Sequence, residues 1–409
     1  QAFGRLSIER EVDKEKVFDY GYGLSTIGRL NNHSDFYFEE WYAELKFHFL
    51  KFEAGSKRKI LGVQDHNLGS GGILWSGNAR PLPEISLSTF NYIDVPYTSG
   101  YMQFNGGMSH GWIDDYPGIK DVWLHHKWLM VRSGGDLPIR ITGGLHHFAQ
   151  WGGYSDYYGQ LANDFHTLLM VFIANGTKDD IVLGEQINAA GNHLGSYNFR
   201  IDYKINDYEA GFYWESIFDD NSGRKLRNLP DGLYGFSFKT NNKENIVNQF
   251  IFEYLTTDYQ SGSPTVDTIN NIPTNGGDNY FSHWIYKMGW SSQLMTIGTP
   301  LISSPIYTNS DENIGKFVNN RVKALHFGLG GSFSMLNYKL LYTHSVNKGT
   351  YGTSFNPPYQ DNSLLIALTF EDFWIEGSSF HIDFGIDIGE FYGNNYGLML
   401  RWEYRFLEN

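Results

Sequence analysis

The 409-residue sequence contains no cysteine, which excludes disulfide bonds and thiolate metal sites. Its longest apolar run, LLMVFIA at 168–174, is far too short to form a membrane-spanning helix. Positive charge is also scarce, since 31 Lys and Arg stand against 45 Asp and Glu and give a net charge of −14. Nucleic acid needs a basic stripe, so this balance argues against a nucleic-acid partner. A chain of this kind can cross a membrane only with strands closed into a barrel.

Aromatic residues and glycine are abundant in this sequence, whereas charged residues are few. Aromatics make up 17% of the chain, the sequence has 46 Gly, and charged residues fall to 19%. Tyr and Trp suit surfaces that are apolar at one end and wet at the other, as at a membrane interface. No Pro/Ser-rich linker or low-complexity tract divides the sequence. We therefore predict a single domain over residues 1–409.

Strict alternation of apolar and polar residues is the main structural signal. In YGLMLRWEYRF, at 396–406, large apolar side chains occupy every second position and three charges lie between them. A period of two indicates a strand with one apolar and one polar face. The same pattern recurs at 20–30, 41–49, 336–344, 363–370 and 380–388. Turn-rich segments separate these runs, which together favour a transmembrane barrel over a soluble sandwich or propeller.

The polar positions of these strands carry charges of both signs. Mixed signs predict a salt-bridged, partly filled lumen, and the alternative is the water-filled wall of a porin. The inward charges expected from the alternation are Glu44, Lys46, Asp383, Asp387, Arg401, Glu403 and Arg405.

The middle of the chain has a different period. GQLANDFHTLLMVFIANG, at 159–176, has apolar residues at helical spacing, and 179–196 is interpreted as a short helix with a loop. We therefore expect helical loop or lid elements around 159–195. The alternative is that the apolar residues pack this loop against the rim of the barrel.

A set of short motifs resembles the Wzi family of capsule-assembly outer-membrane proteins. AGSKRKILG at 54–62, followed by WSGNARPLP at 75–83, is similar to the family signature. Further similar segments follow in the family's order, and the match covers most of residues 40–301. They lie at 123–129, 144–153, 185–197, 228–238, 252–262, 278–281 and 297–301. The overall form is more similar to the versions of Bacteroidetes-type bacteria than to the enterobacterial ones.

The resemblance implies an all-β, transmembrane antiparallel barrel of about eighteen strands, with short helical segments in its loops or lumen. It also implies an integral outer-membrane location in a Gram-negative bacterium, with the ligand face outward. The implied role is that of a lectin without catalysis, which holds capsular or other surface polysaccharide. Surface polysaccharide and outer-membrane lipid are the expected partners, and envelope protein partners remain open.

Candidate ligand residues are those that suit sugars. Sugar C–H faces stack on aromatic rings, while amide, carboxylate and guanidinium groups match the hydroxyls. For each cluster the alternative is a purely structural role. The candidates are Trp75, Asn78 and Arg80; His147, Gln150 and Trp151; Glu185 and Asn192; and Asp258 and Tyr259.

No cofactor or metal site is predicted. His125–His126 and His146–His147 are adjacent pairs, and neighbours on a strand point to opposite faces, so neither pair can chelate an ion. Members of different pairs could still meet across strands. Three other functions remain open: a channel for oligosaccharides or small solutes, a scaffold subunit of an envelope complex, and an enzyme using Glu185 or Asp258 as acid or base.

Overall fold

The computed structural model describes residues 2–30, 35–175, 190–219, 221–242, 245–263, 265–267, 272–308 and 316–406. Within this part of the chain, eighteen strands form one large antiparallel sheet. In chain order the strands are β1 Ala2–Arg10, β2 Phe18–Leu30, β3 Asp35–Phe47, β4 Leu50–Ser56, β5 Pro83–Thr89, β6 Ile93–Asp94, β7 Met102–Trp112, β8 Trp123–Ser133, β9 Ile139–Trp151, β10 Asn192–Ile205, β11 Tyr208–Phe218, β12 Gly232–Thr240, β13 Val247–Thr256, β14 Val322–Phe333, β15 Leu336–Gly349, β16 Ser354–Glu371, β17 Ser378–Gly389 and β18 Asn395–Tyr404.

The strands form a barrel wall by pairing with their neighbours in sequence. β5 and β6 pair with successive parts of β7, so they share one position in the wall, with an interruption at 90–92. All of the wall pairings are antiparallel, as the sequence predicts. Among the described residues, the ladder runs without a break from β1 to β18, and no pairing joins these two end strands.

The outward face of the wall is the apolar face predicted from the alternation. On β18, Leu398 is 65% exposed and Leu400 is 59% exposed. On β2, Tyr20 and Leu24 are exposed, while Ser25 on the opposite face is buried. A wall that exposes large apolar side chains outward and buries polar ones inward is inverted relative to a soluble protein, and it requires a lipid environment.

The two ends of the barrel differ in the length of their connections. One end has tight turns such as 48–49, 206–207 and 334–335, and the other carries the long connections 57–82, 152–191 and 257–321. Outer-membrane barrels have short periplasmic turns and long extracellular loops. We therefore orient the long-loop end toward the outside of the cell.

Short helices lie in the connections, as expected. They are α1 Phe165–Ile173, α2 Asn221–Arg224 and α3 Pro305–Thr308. The Asp164 carboxylate caps α1 by accepting a hydrogen bond from the Thr167 amide at 2.7 Å, and the helix ends where Ala174 adopts a left-handed conformation with φ 54°. Through the described parts of the chain, no helix has the length and apolarity needed to span a bilayer.

The position of α1 differs from that of a lid. Val171, fully buried, packs with Ala149, Trp151 and Ala190 in a small apolar cluster. Ala149 and Trp151 share the face of β9 that carries the exposed Ile141, so they point away from the lumen. The helix therefore lies on the outer wall near the long-loop end, in line with the alternative that this loop packs against the rim.

The second predicted helical segment, 179–196, is only partly visible. Residues 176–189 lie outside the described residues. From Asn192 onward the chain is strand β10, so the predicted short helix with a loop does not extend over 192–196. The apolar spacing there serves a strand instead, because inward Leu194 packs in the lumen and outward Phe199 is exposed.

The core of the protein lies inside the barrel. A single large cluster of buried side chains joins inward wall residues, such as Phe148 and Leu194, to loop residues, such as Ile73 and Trp290. In the described part of the chain, the material that fills the lumen is mostly irregular loop. The inward charges have both signs, as predicted. Glu44 pairs with Lys51 at 3.5 Å.

Candidate functional site

The connection 57–82 between β4 and β5 enters the lumen, where two buried carboxylates hold its backbone. Glu215 on β11 accepts hydrogen bonds from the amides of Ile73 at 2.8 Å and Leu74 at 3.3 Å. Glu253 on β13 accepts from the Ser70 amide at 2.8 Å and from its hydroxyl at 2.6 Å. These charge-assisted bonds satisfy buried groups on both sides. We refer to connection 57–82 as the plug loop.

Glycine allows the plug loop to approach the wall this closely. Gly71 has a φ of +89°, a region that L side chains rarely adopt. A Cβ on Gly72 would lie 2.7 Å from the Trp75 carbonyl oxygen and 3.0 Å from Glu215 Oε2. The glycine-rich stretch before Trp75 therefore brings backbone amides within reach of a carboxylate on the wall.

A second long connection, 257–321, covers the plug loop from the long-loop end. The Trp290 indole N–H donates to the Leu74 carbonyl at 2.7 Å, and the Thr299 amide donates to the Ile73 carbonyl at 2.8 Å. On the wall side, His326 bonds the Leu68 carbonyl at 2.7 Å. The plug loop is thus fixed between the wall and the second connection.

The plug loop lines a cavity of about 410 Å³. Its walls combine an aromatic ring with cationic, amide and backbone groups, which is the mixture that sugars require. The lining residues are Arg58, Lys59, Ile60, Leu61, Gln64, Asp65, His66, Gly69, Ser70, Gly71, Trp75, Ser76, Gly77, Asn78 and Pro300.

The charges of the cavity depend on burial. Burial lowers the pKa of Lys59 to about 8, against the attraction of Glu53. Burial also lowers the pKa of His66, so this imidazole is neutral at pH 7. Lys59 contacts Glu84, and Arg58 pairs with Glu39 at 3.0 Å. The cavity therefore has two cations near neutral pH, one of which loses its charge in mild base.

Two residues of the first predicted cluster line this cavity, and the third lies beside it. Trp75 stacks on Phe148 with ring centroids 5.6 Å apart, and its indole N–H donates to the Lys59 carbonyl at 3.1 Å. The Asn78 amide donates to the Thr296 carbonyl at 3.1 Å. Arg80 lies over the Tyr37 ring at 3.6 Å and lines a smaller cleft that shares Trp75 with the main cavity.

The residues of the second predicted cluster lie on opposite faces of the barrel wall. Gln150 faces the lumen, where its amide donates to the Gly289 carbonyl at 2.9 Å and accepts from Asn192 at 2.7 Å. His147 and Trp151 point to the outer face, His147 bonding the ring of His193 at 3.0 Å. His147 and Trp151 therefore cannot act with Gln150 on one ligand, because adjacent strand positions face opposite ways.

The remaining candidates lie elsewhere. Asp258 forms ion pairs with Arg321, Lys323 and Lys348 at the rim. Tyr259 is 44% exposed, and its amide donates to Asp231 at 2.9 Å. Glu185 lies outside the described residues. Neither Asp258 nor Tyr259 lines the cavity, whereas Trp75 and Asn78 of the first cluster do.

Cationic and polar lining residues were missed as candidates. Lys57, Arg58 and Lys59 form a continuous basic run in a chain that is poor in positive charge. That run, set shortly before the glycine-rich stretch, is the signal that could have placed Arg58 and Lys59 beside Trp75. Gln64 and His66 have no comparable signal, because only the fold of the loop turns them toward the cavity.

The histidine pairs meet across strands rather than within them. His126 Nε2 and His146 Nδ1 face the lumen 3.2 Å apart, while His125 and His147 point outward. This arrangement follows the alternation predicted from the sequence. Over the described ranges, no group of three or more His, Asp or Glu is placed to hold a metal ion.

The capsule assembly protein Wzi family model matches residues 2–303. The chain belongs to the Wzi family. The resemblance identified in the short motifs is therefore confirmed, while an origin in a Bacteroidetes-type bacterium stays a prediction. A comparison with curated proteins gives no match.

The fold of this chain is similar to those of solved outer-membrane barrels. Wzi of Escherichia coli, described as a carbohydrate-binding outer-membrane β-barrel in group 1 capsule assembly, is 12% identical with a TM-score of 0.59. The match covers 97% of this chain and 81% of that one. OccK9 (OpdG) of Pseudomonas aeruginosa is 9% identical with a TM-score of 0.51, covering 98% of this chain and 89% of that one. At these identities the likeness shows the fold alone, which is that of an integral outer-membrane β-barrel.

Proposed function

We propose that the chain binds and retains capsular or related surface polysaccharide at the outer face of the outer membrane, without catalysis. In this proposal residues 1–409 act as one barrel domain surrounded by lipid. The plug-loop cavity is the binding site, with Trp75 as the stacking platform and Arg58, Lys59 and Asn78 as polar contacts. The Wzi family and the carbohydrate binding described for the Escherichia coli protein support this reading.

The observation that carries the proposal is the composition of the cavity. Trp75 is partly exposed beside Lys59, Gln64 and Asn78, and it is held by stacking on Phe148. A fixed ring next to amide and cationic groups offers both contacts that a sugar makes. Arg58 and Lys59, which already pair with Glu39 and Glu84, add charge-assisted donors for any carboxylates of the polymer.

The channel function is the main rival, and the filled lumen argues against it. The plug loop and connection 257–321 share one buried core with the wall, anchored by Glu215 and Glu253. A scaffold role toward envelope proteins is compatible with polysaccharide binding and stays a prediction.

Replacing Trp75 by alanine is expected to weaken polysaccharide binding about tenfold, which corresponds to a loss of about 1.4 kcal/mol of stacking free energy. Binding of the source organism's own surface polysaccharide to purified, detergent-solubilised protein would measure it. The matched control is Trp402→Ala, because Trp402 is 53% exposed on the outward face of β18. Unchanged binding by the Trp75 variant, or no binding by well-folded wild type to any native surface polysaccharide, would contradict the proposal.

Binding of an anionic polysaccharide is expected to weaken as pH rises from 7 to 9. Lys59 titrates near pH 8, so its charged fraction falls from about nine-tenths to about one-tenth over that range. Polygalacturonate is the probe and neutral dextran the control ligand. Lys59→Arg should flatten the pH dependence, since a guanidinium stays charged throughout. A wild-type profile that is level between pH 7 and 9, or an equal slope in the arginine variant, would remove Lys59 from the site.

A further inference from the structure

A compact group of charged residues lies at the long-loop end of β13, β14 and β15. Asp258 Oδ1 pairs with Arg321 at 3.0 Å, and Asp258 Oδ2 pairs with Lys348 at 2.6 Å and Lys323 at 3.3 Å. Three cations thus surround one carboxylate and leave a surplus of positive charge. We call these four residues the basic rim cluster.

The cluster faces outward, not into the lumen. Thr256, Lys323 and Val346 are register partners, so they share one face of the wall. On β14 that face also carries the exposed Leu325. The neighbouring Val322 is fully buried on the lumenal face, as alternation requires.

The height of the cluster on the wall matches the membrane surface. About ten residues separate Lys323 from Phe333, next to the tight turn 334–335. At about 3.3 Å per residue and a tilt of about 40°, they span about 25 Å, the height of the apolar band of an outer-membrane barrel. Outward Leu325 and Phe327 occupy the upper part of this band. The cations therefore begin where the hydrocarbon of the outer leaflet ends.

Part of the cluster is fixed and part remains open. Arg321 lies over the Tyr351 ring at 3.9 Å and donates to the Asp258 carbonyl at 3.1 Å as well as to its carboxylate. Lys323 is the most exposed member, with 45% of its side chain accessible. Burial raises the pKa of Asp258, but hydrogen bonding and attraction from Lys348 and the other cations outweigh this, so its pKa is lowered. The carboxylate stays charged and holds the cations together.

We propose that the basic rim cluster binds a phosphate group of an outer-leaflet lipid, with Lys323 and Lys348 as the phosphate contacts. The surplus charge supplies attraction for an anion, and charge-assisted bonds to phosphate are strong at a partly dehydrated surface. Basic groups beside the hydrocarbon boundary are the feature that recognises anionic headgroups. The apolar side chains directly below, Leu325 and Phe327, supply contact for the acyl chains of the same lipid. This site is independent of polysaccharide binding in the lumen.

The test compares lipid A binding by purified protein and by the double variant Lys323→Gln/Lys348→Gln, using native mass spectrometry. Arg321 is kept so that Asp258 retains a partner. Lipid A binding should weaken about tenfold in the double variant. The matched control is Lys339→Gln, because Lys339 lies on β15 but points into the lumen. A heat-dependent shift in gel mobility would show that each variant is folded.

Two further outcomes separate the sources of the phosphate. Millimolar inorganic phosphate should not displace bound lipid A, because it lacks the acyl contacts. If inorganic phosphate displaces lipid A when both are present at the same concentration, the lipid assignment is overturned in favour of a simple anion site. Retention of lipid A by the double variant within about twofold of wild type, or an equal loss in the Lys339 control, would overturn the cluster itself as the site.

Discussion

Replacing Glu215 and Glu253 together by alanine is expected to open the lumen to ions. The two carboxylates accept hydrogen bonds from Ser70, Ile73 and Leu74, and little else on the wall satisfies those amides. Hydrogen bonds to charged groups contribute about 1.5–3 kcal/mol each, and an amide left without a partner is costly to keep buried. The plug loop should therefore leave its docked position for a substantial fraction of the time.

Single-channel conductance in planar bilayers measures this directly. Wild type should show little conductance, and the double variant should show an increase of several-fold. Glu209→Ala is the matched control. Glu209 lies on the same strand as Glu215, but it pairs with Lys239 at the short-turn end, away from the plug loop. It removes a carboxylate without releasing an amide of the loop.

The result also decides between two functions. A large conductance in wild type would contradict the filled lumen and favour the channel. A closed double variant would show that the carboxylates are not the attachment, leaving the Trp290 and Thr299 bonds to hold the loop. Only a closed wild type with an open variant fits a binding protein whose loop is anchored by Glu215 and Glu253.

The strands could be predicted because their signal is local. On β18, the residue type from Tyr396 to Tyr404 alternates with the side of the wall that each side chain faces. Lipid on one side makes the difference between apolar and polar positions strong. The alternation of side chains along a strand also separates two residues of the second predicted cluster. Gln150 and Trp151 are adjacent on a strand, so they had to face opposite sides, and only one of them could reach a ligand in the lumen.

The site was harder to predict because its contacts are distant in sequence. Nothing near Ile73 indicates that its amide will meet Glu215, and nothing near Leu68 indicates His326. The motif around Trp75 lies in the loop that lines the cavity, but the depth of that loop depends on partners from several different strands and from connection 257–321. Helix α1 shows the same limit. Its apolar spacing predicts a helix, but tertiary contacts decide on which side of the wall the helix packs.

The outer wall beneath α1 is unusual for a lipid-facing surface. His125 and Lys127 point outward there, and Phe172 of the helix covers both, with ring centroids 5.5 Å from His125 and the Lys127 ammonium 4.3 Å from its ring. The helix also exposes Phe165 and Ile173. The helix therefore replaces a polar patch of wall with an apolar surface at the outer boundary of the membrane.

Val171→Asp is expected to detach α1 from the wall. Val171 is fully buried against Ala149 and Trp151, and a carboxylate without a partner in such a place costs several kcal/mol. Chymotrypsin should then cut connection 152–191 within minutes in detergent-solubilised protein, while the barrel keeps its heat-dependent gel mobility. Val171→Ala is the graded control, since losing two methyl groups costs only about 1–2 kcal/mol. If the aspartate variant resists the protease as wild type does, the helix is not held by this contact. Cleavage in the aspartate variant alone would establish that the apolar cluster, and not the lumen, is what orders the helix.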